Sequence, residues 1–298
     1  MAPFVSVVIP TIGRGELLKG TLSGVLGSDY PDFEVIVVDQ TPEPDASVLE
    51  LVEKNRDRVK YIHVDEPGLP NARNIGIEAA NGDVILFLDD DVVVDGALIG
   101  AHAKSYVEDC IGGVAGRILP PGDGPIGFER NPKKIAKMKL FGLLVYDNFN
   151  SDVPTRAHHT RGCNMSFRRE ALIRGGGFDT GFGGSAHLEE TDMAIRVRDL
   201  GYEMIFEPEA SLVHLLEPVG GCRPKDMREW FFWYGHNFCL FYRKNYPIYL
   251  FPIYLVYFFC KLPFSAIKRG DMRVVFWGLS GFLNCLFRKR VTRLDVFE

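Results

Sequence analysis

Three consecutive carboxylates, Asp89, Asp90 and Asp91, end the apolar run Val84 to Leu88 in the stretch GDVILFLDDDVVVD, residues 82–95. Side chains alternate across a strand, so three adjacent like charges cannot share one solvated face, and their repulsion costs stability wherever they crowd. A positive partner is therefore required. A hard divalent cation, Mg²⁺ or Mn²⁺, suits oxygen ligands and would invert the local field, so that an anionic diphosphate could settle where the carboxylates alone would repel it. The competing reading is a solvated acidic turn capping the next helix, because helix N-termini favour Asp.

The elements that must position this triplet are legible around it. Apolar, β-branched runs occur at residues 5–11 (VSVVIPT), 33–40 (FEVIVVDQ), 59–66 (VKYIHVDE) and 83–91 (DVILFLDDD). They are continuous rather than alternating, as in parallel strands covered on both faces. Helix-length segments lie between them at 16–26, 46–55 and 71–80. This order predicts a right-handed α/β sheet, in which ligands collect beyond the carboxyl ends of the strands. Asp39 and the triplet both stand at such ends. Farther on, the Pro- and Gly-rich segment 120–132 reads as a mobile loop, and the basic stretch Lys133 to Lys139 as a surface helix. A helix at 189–201 and a strand at 203–208 follow.

Other chemistries fit poorly. The turn GRGELLKG (13–20) nearly matches two phosphate-binding fingerprints, but Leu18 stands where a dinucleotide fold needs its third glycine and Thr21 where a P-loop needs lysine. A nucleotide-dependent oxidoreductase is disfavoured accordingly. Cys110, Cys163, Cys222, Cys239, Cys260 and Cys285 show no C-x-x-C spacing, so neither a zinc site nor a disulfide framework is expected. With a start that has no basic, cleavable leader, the expectation is a reducing, cytoplasmic setting.

Taken together, VSVVIPT, VIVVDQ, GLPNARNIGIEAANGDVILFLDDDV, GCNMSFRREAL, GGFDTGF and EETDMAIRVRDLGY resemble the nucleotide-sugar-dependent family 2 glycosyltransferases over residues 4–217. The resemblance implies the type-A glycosyltransferase fold: a mostly parallel central sheet flanked by helices, here with a C-terminal aromatic and basic helical appendage. It implies that Pro10, Thr11 and Asp39 line the nucleoside pocket, with Arg73 adding a cation near the base or diphosphate and Asn74 fixing its loop. Asp89 and Asp90 would hold ribose or donor sugar, Asp91 would ligate Mn²⁺ or Mg²⁺, His214 would sit near the diphosphate or metal, and Asn164 near the donor sugar. The family's usual Glu-Asp pair is Glu189-Glu190 here, which makes Glu190 the expected base and Asp192 either the fallback base or an anchor for its helix. Glutamate is one methylene longer but of nearly the same intrinsic acidity, so proton transfer survives. The implied reaction is a single inverting displacement of a hexosyl or deoxyhexosyl group. The alternative, prompted by the Glu-for-Asp change, is a non-catalytic nucleotide-sugar-binding or scaffold protein.

Composition changes near Gly220. Residues 1–221 hold 21 Lys/Arg against 34 Asp/Glu, whereas residues 222–298 hold 13 against 5, with 21 of the 36 aromatic residues. The expected division is a catalytic domain at 1–220 and a helical, membrane-interface segment at 221–298. Two uncharged runs, 245–260 and 274–287, fall short of the roughly 20 residues of a spanning helix, and Pro247, Pro252 and Pro263 interrupt the first. Flanking cations, among them Arg243, Lys244, Lys261, Arg269, Arg288, Lys289 and Arg290, alternate with Tyr and Trp, as in segments lying in an anionic headgroup layer. Peripheral attachment to the cytoplasmic leaflet and a lipid-linked or polysaccharide acceptor are the expectations. A homodimer through these helices is the competing use of the tail. Nucleic acid is disfavoured, because long apolar runs would gain nothing against a phosphate backbone.

Overall fold

Strand β1 (Val5–Thr11) is buried at every position and alternates its side chains between two cores. Val5, Val7 and Ile9 enter one hydrophobic cluster and Val8 the other, which is why the sequence there is apolar without interruption. In this computed structural model the described residues are 2–122, 127–217, 219–221 and 223–287. Cys222, the cations Arg288, Lys289 and Arg290, and residues 123–126 of the expected loop lie outside them.

Strands β2 (Phe33–Asp39), β3 (Val59–His63) and β4 (Val84–Leu88) complete a parallel block in the order β3-β2-β1-β4. Helices α1 (Gly15–Leu26), α2 (Ala46–Lys54) and α3 (Leu69–Ala79) connect them. After the short β5 (Val92–Val94) and α4 (Leu98–Lys104), β6 (Ile111–Leu119) enters the sheet away from β4. The short strands β7 (Lys137–Lys139), β8 (Leu144–Tyr146) and β9 (Thr155–Arg156) precede β10 (Asn164–Arg168). This last strand fits antiparallel between β4 and β6, so the sheet is parallel in its first half and mixed beyond.

Helices α5 (Arg169–Arg174) and α6 (Glu189–Asp199) then lead to the long β11 (Glu203–His214). This strand runs parallel to β6 and then antiparallel to β5, pairing His214 with Val92. That register sets His214 beside the acidic end of β4.

The basic stretch 133–139 is not the surface helix expected of it. Lys137–Lys139 pairs with Leu144–Tyr146 in a two-stranded hairpin. Left-handed backbone at Ala136, Leu140, Phe141 and Gly142 breaks any helical run there.

Three helices close the chain: α7 (Met227–Asn245), α8 (Phe251–Arg269) and α9 (Arg273–Phe287). Helices α7 and α9 cross so closely that a Cβ at Gly281 or Gly235 would strike facing backbone. Their aromatic cluster takes in Phe182 and Ala186 from the loop before α6, so the appendage shares a core with the sheet domain. Expected to be interrupted, the proline-containing run is instead helical from Ile248 to Arg269, 22 residues that include an 18-residue window of mean hydropathy 1.6, long and apolar enough to cross a membrane by length and composition. Pro252 falls in the first turn, where its missing N–H costs nothing, and Pro263 is accommodated inside the helix.

Candidate active site

At the carboxyl end of β4 the triplet splits its charges among separate partners. Asp90 turns toward β1, where it accepts from Thr11 Oγ1 at 2.7 Å and from Arg14 Nη1 at 2.9 Å. Asp91, almost fully buried, accepts from His214 Nε2 and from the Glu217 amide, both at 3.1 Å, and pairs with Arg14 at 3.3 Å. Asp89 is the most open of the three, with Arg73 at 3.8 Å and His214 at 4.0 Å. Protein cations thus supply much of the positive charge that the sequence demanded. Arg14 was missed by sequence reasoning; its one signal was a lone cation in the glycine turn after β1.

These contacts divide the carboxylates electrostatically. Burial pushes Asp90 up to about 6 against the hydrogen bonds from Thr11 and Arg14. Burial also raises Asp89, opposed by Arg73 and His214. For Asp91 burial is outweighed by the His214 hydrogen bond and by the charges of His214 and Arg14, so it stays below the usual carboxylate range. His214 is raised in return: burial would lower it, but the Asp91 hydrogen bond and the two acidic charges prevail. Asp89, Asp91 and His214 each offer one ligand atom, and these atoms lie within 4.8 Å of one another. Two carboxylates and an imidazole could hold a divalent metal ion, with the ion displacing the imidazole proton. Asp89, which the resemblance gave to the sugar, therefore stands in the candidate metal cluster as well.

Two cavities meet at this cluster, and a third adjoins the second at Arg161, His187 and Glu190. The first, about 380 Å³, is lined by Pro10, Thr11, Arg14, Gln40 and the triplet. The second, about 640 Å³, shares Asp89, Arg161 and His214 with it and reaches Glu190. The third, about 340 Å³, shares Arg161, His187 and Glu190 with the second and runs between the β7–β8 hairpin, α7 and α8. Arg161 borders all three and was not singled out from sequence. Asp39 stands behind the first cavity, its oxygens accepting from Tyr61 Oη at 2.6 Å and Thr41 N at 2.8 Å.

Glu190 reaches the second cavity because α6 begins abruptly. Leu188 takes a left-handed conformation, φ +78°, and turns the chain so that the first helical turn carries Glu189, Glu190 and Asp192. Glu189 turns inward onto Arg73, and Asn74 fixes the loop before α6 by bonding both backbone groups of Phe178.

Three expectations change. Arg73 is not a free cation for base or diphosphate: it is 2% exposed, and a guanidinium buried that deeply is neutralised by Glu189 and Asp89. Asp192 is fully buried and bonded to Arg196, Lys244 and Asn245, which makes it the anchor of α6 and removes it from the cleft. Asn164 is turned away from the donor side. Its amide donates to the Arg117 and Ala210 carbonyls at 2.9 Å, and its oxygen lies 2.8 Å from His102 Nε2, so its hydrogen-bonding capacity is used inside the sheet.

Known proteins resemble this chain along its length. A GalNAc(5)-diNAcBac-PP-undecaprenol beta-1,3-glucosyltransferase of Campylobacter jejuni is 32% identical over 45% of this chain and 44% of its own length. This chain thus spans less than half the length of that relative. A glucosyl-dolichyl phosphate glucuronosyltransferase of Haloferax volcanii is 28% identical over 71% of this chain and 69% of its own. Among solved structures, the mannosyltransferase PcManGT of Pyrobaculum calidifontis, determined with GDP-Man and Mn²⁺, superposes with a TM-score of 0.59 at 17% identity, over 96% of this chain and 88% of that one. At that identity the likeness is one of fold, and the fold is that of the type-A glycosyltransferases. With its family model matching residues 6–176, more than half of its length, the chain belongs to glycosyl transferase family 2.

Proposed function

We propose that this protein is a metal-dependent, inverting glycosyltransferase that moves a sugar from a nucleoside-diphosphate donor to a hydroxyl of a lipid-linked or polysaccharide acceptor at the cytoplasmic face of a membrane. One observation carries the reading: Glu190 borders the same cavity as Asp89 and His214, two members of the candidate metal cluster. In this scheme residues 1–220 bind the donor and 221–298 form the membrane interface. Thr11 and Gln40 flank the nucleoside end, with Asp39 behind them as a further acceptor. Asp91, His214 and Asp89 would hold a divalent ion, which would supply charge stabilisation for the departing diphosphate. Glu190 takes the proton from the attacking hydroxyl. The acceptor oxygen bonds to the anomeric carbon on the face opposite the breaking bond to the diphosphate, so one displacement inverts that centre. Arg161, bordering all three cavities, adds positive charge between donor and acceptor. The named acceptors of the two relatives, an undecaprenyl-diphosphate glycan and a dolichyl-phosphate glycan, favour the lipid-linked class here.

The test is a panel of UDP-, GDP- and dTDP-sugars, screened with Mn²⁺ or Mg²⁺ for transfer and slow hydrolysis. One donor should turn over, and Glu190→Gln should lower that rate by about 10²–10⁴, the usual worth of a positioned base. Turnover unchanged in Glu190→Gln contradicts the assignment of the base. Donor binding with no turnover at all supports the non-catalytic alternative.

A further inference from the structure

We infer that the third cavity is the acceptor site and that it recognises a phosphate group carried on a hydrophobic chain. The inference rests on the glycosyltransferase reading and goes on to name the chemistry of its acceptor. Glu190 borders this cavity as well as the second, so an acceptor hydroxyl held in the third can reach the base from this side. Two cations, Arg161 and Lys261, stand along it together with His187, whose ring stacks on Tyr234 at 6.2 Å. Asp147 engages Arg161 at 2.5 Å, whereas Lys261 lies over the rings of Tyr234 and Tyr257 with the Tyr257 hydroxyl at 3.2 Å and, among the described residues, no carboxylate within ion-pair distance. An ammonium that lies over aromatic rings without a carboxylate partner suits a phosphate oxygen.

The other wall fits the rest of such a molecule. Phe238 and Tyr257 stack at 6.0 Å and continue the apolar lining, and the rim includes the half-exposed Leu144 and Val145 of the β7–β8 hairpin. From that rim the surface continues over Leu140 and Phe141, each about two-thirds exposed, which α8 ties down through the Tyr254 hydroxyl on the Phe141 carbonyl at 2.9 Å. A cavity that is catalytic and cationic within and opens onto exposed apolar surface matches an amphiphile bearing a phosphate near its reacting end. A neutral soluble glycan would use neither Lys261 nor the apolar rim.

Farnesyl phosphate and farnesol, presented in neutral detergent micelles to the full chain, are the probes. Binding is read by the fluorescence of Trp230, which stacks on Tyr234 at 5.3 Å. Farnesyl phosphate should bind about tenfold or more tightly than farnesol, the scale of one charge-assisted hydrogen bond. Lys261→Ala should erase that preference and Lys261→Arg should keep it. Lys261 is exposed, so neither change threatens folding. Equal binding of the two probes, or a preference that survives Lys261→Ala, overturns the inference. A nucleoside diphosphate with Mn²⁺, titrated in parallel, separates the two ideas. Donor binding without phosphate preference leaves the enzyme reading standing and removes the lipid phosphate, whereas phosphate preference without donor binding does the reverse.

Discussion

The acidic triplet is satisfied residue by residue, each carboxylate by a different neighbour, and that division makes three adjacent charges tolerable. Asp90 is the carboxylate held by β1 and the turn that follows it, whereas Asp91 and Asp89 face His214. The sequence disclosed the need for positive charge but not its source, because Arg14 lies 76 residues away and its approach depends on the turn after β1. Arg73 was visible as a cation, yet its use was not: only the fold brings Glu189 against it. A pH test belongs at this scale. His102 is buried between Ser166 Oγ and Asn164 Oδ1, each 2.8 Å away, and burial pushes it down to about 4. A histidine with a folded pKa below its unfolded 6.5 adds stability above pH 6.5 and loses it as the pH falls toward 4, at most roughly 3 kcal/mol over that window. Urea unfolding at pH 7 and pH 4.5 should reveal this loss, and His102→Gln should flatten it. An equal slope in the variant removes His102 as its cause.

Among the elements, the first four strands and their helices were readable because continuous apolar runs alternate with helix-length segments, a pattern that local chemistry alone maintains. The β7–β8 hairpin was not, since its alternation of lysine and apolar residues suits a surface helix equally well. Only left-handed backbone at Ala136, Leu140 and Phe141 decides between them. Helix α6 illustrates the same limit. Its acidic start was legible as a candidate base, whereas the separation of roles within it depends on α7, which brings Lys244 and Asn245 onto Asp192. Asp192→Ala should therefore destabilise the protein by about 3–5 kcal/mol, the cost of breaking a buried ion pair and leaving Arg196 without its carboxylate, as thermal or urea unfolding will record. Glu190→Gln should leave the unfolding midpoint within a degree or two. A stable Asp192→Ala protein with no activity would return that residue to the catalytic role.

Viewed whole, the molecule has a carboxylate-lined cleft on one side and an exposed apolar face on its C-terminal helices, joined through one set of cavities. Ile253, Phe264, Ile267 and Phe276 are all more than half exposed. Exposed apolar area of this extent is the mark of an interface. The composition shift near Gly220 predicted a distinct tail, but the sharing of a core between that tail and the α6 loop arises from long-range packing that no local pattern records. Full-length protein should pellet with vesicles of phosphatidylcholine and phosphatidylglycerol. Replacing Ile253, Phe264 and Phe276 by Ser should weaken that binding at least tenfold, given about 1.5–3 kcal/mol for each buried large apolar side chain. A face covered instead by a second copy would appear as a dimer in sedimentation and no vesicle binding. The central claim, that a divalent ion at Asp89, Asp91 and His214 makes room for an anionic diphosphate, is tested most directly by calorimetric titration of UDP and GDP with Mn²⁺ and with chelator. The account predicts that one nucleotide binds in Mn²⁺, that chelator abolishes the binding, and that Asp91→Ala behaves in Mn²⁺ as the unaltered protein does in chelator. Equal affinity with and without the metal would contradict it.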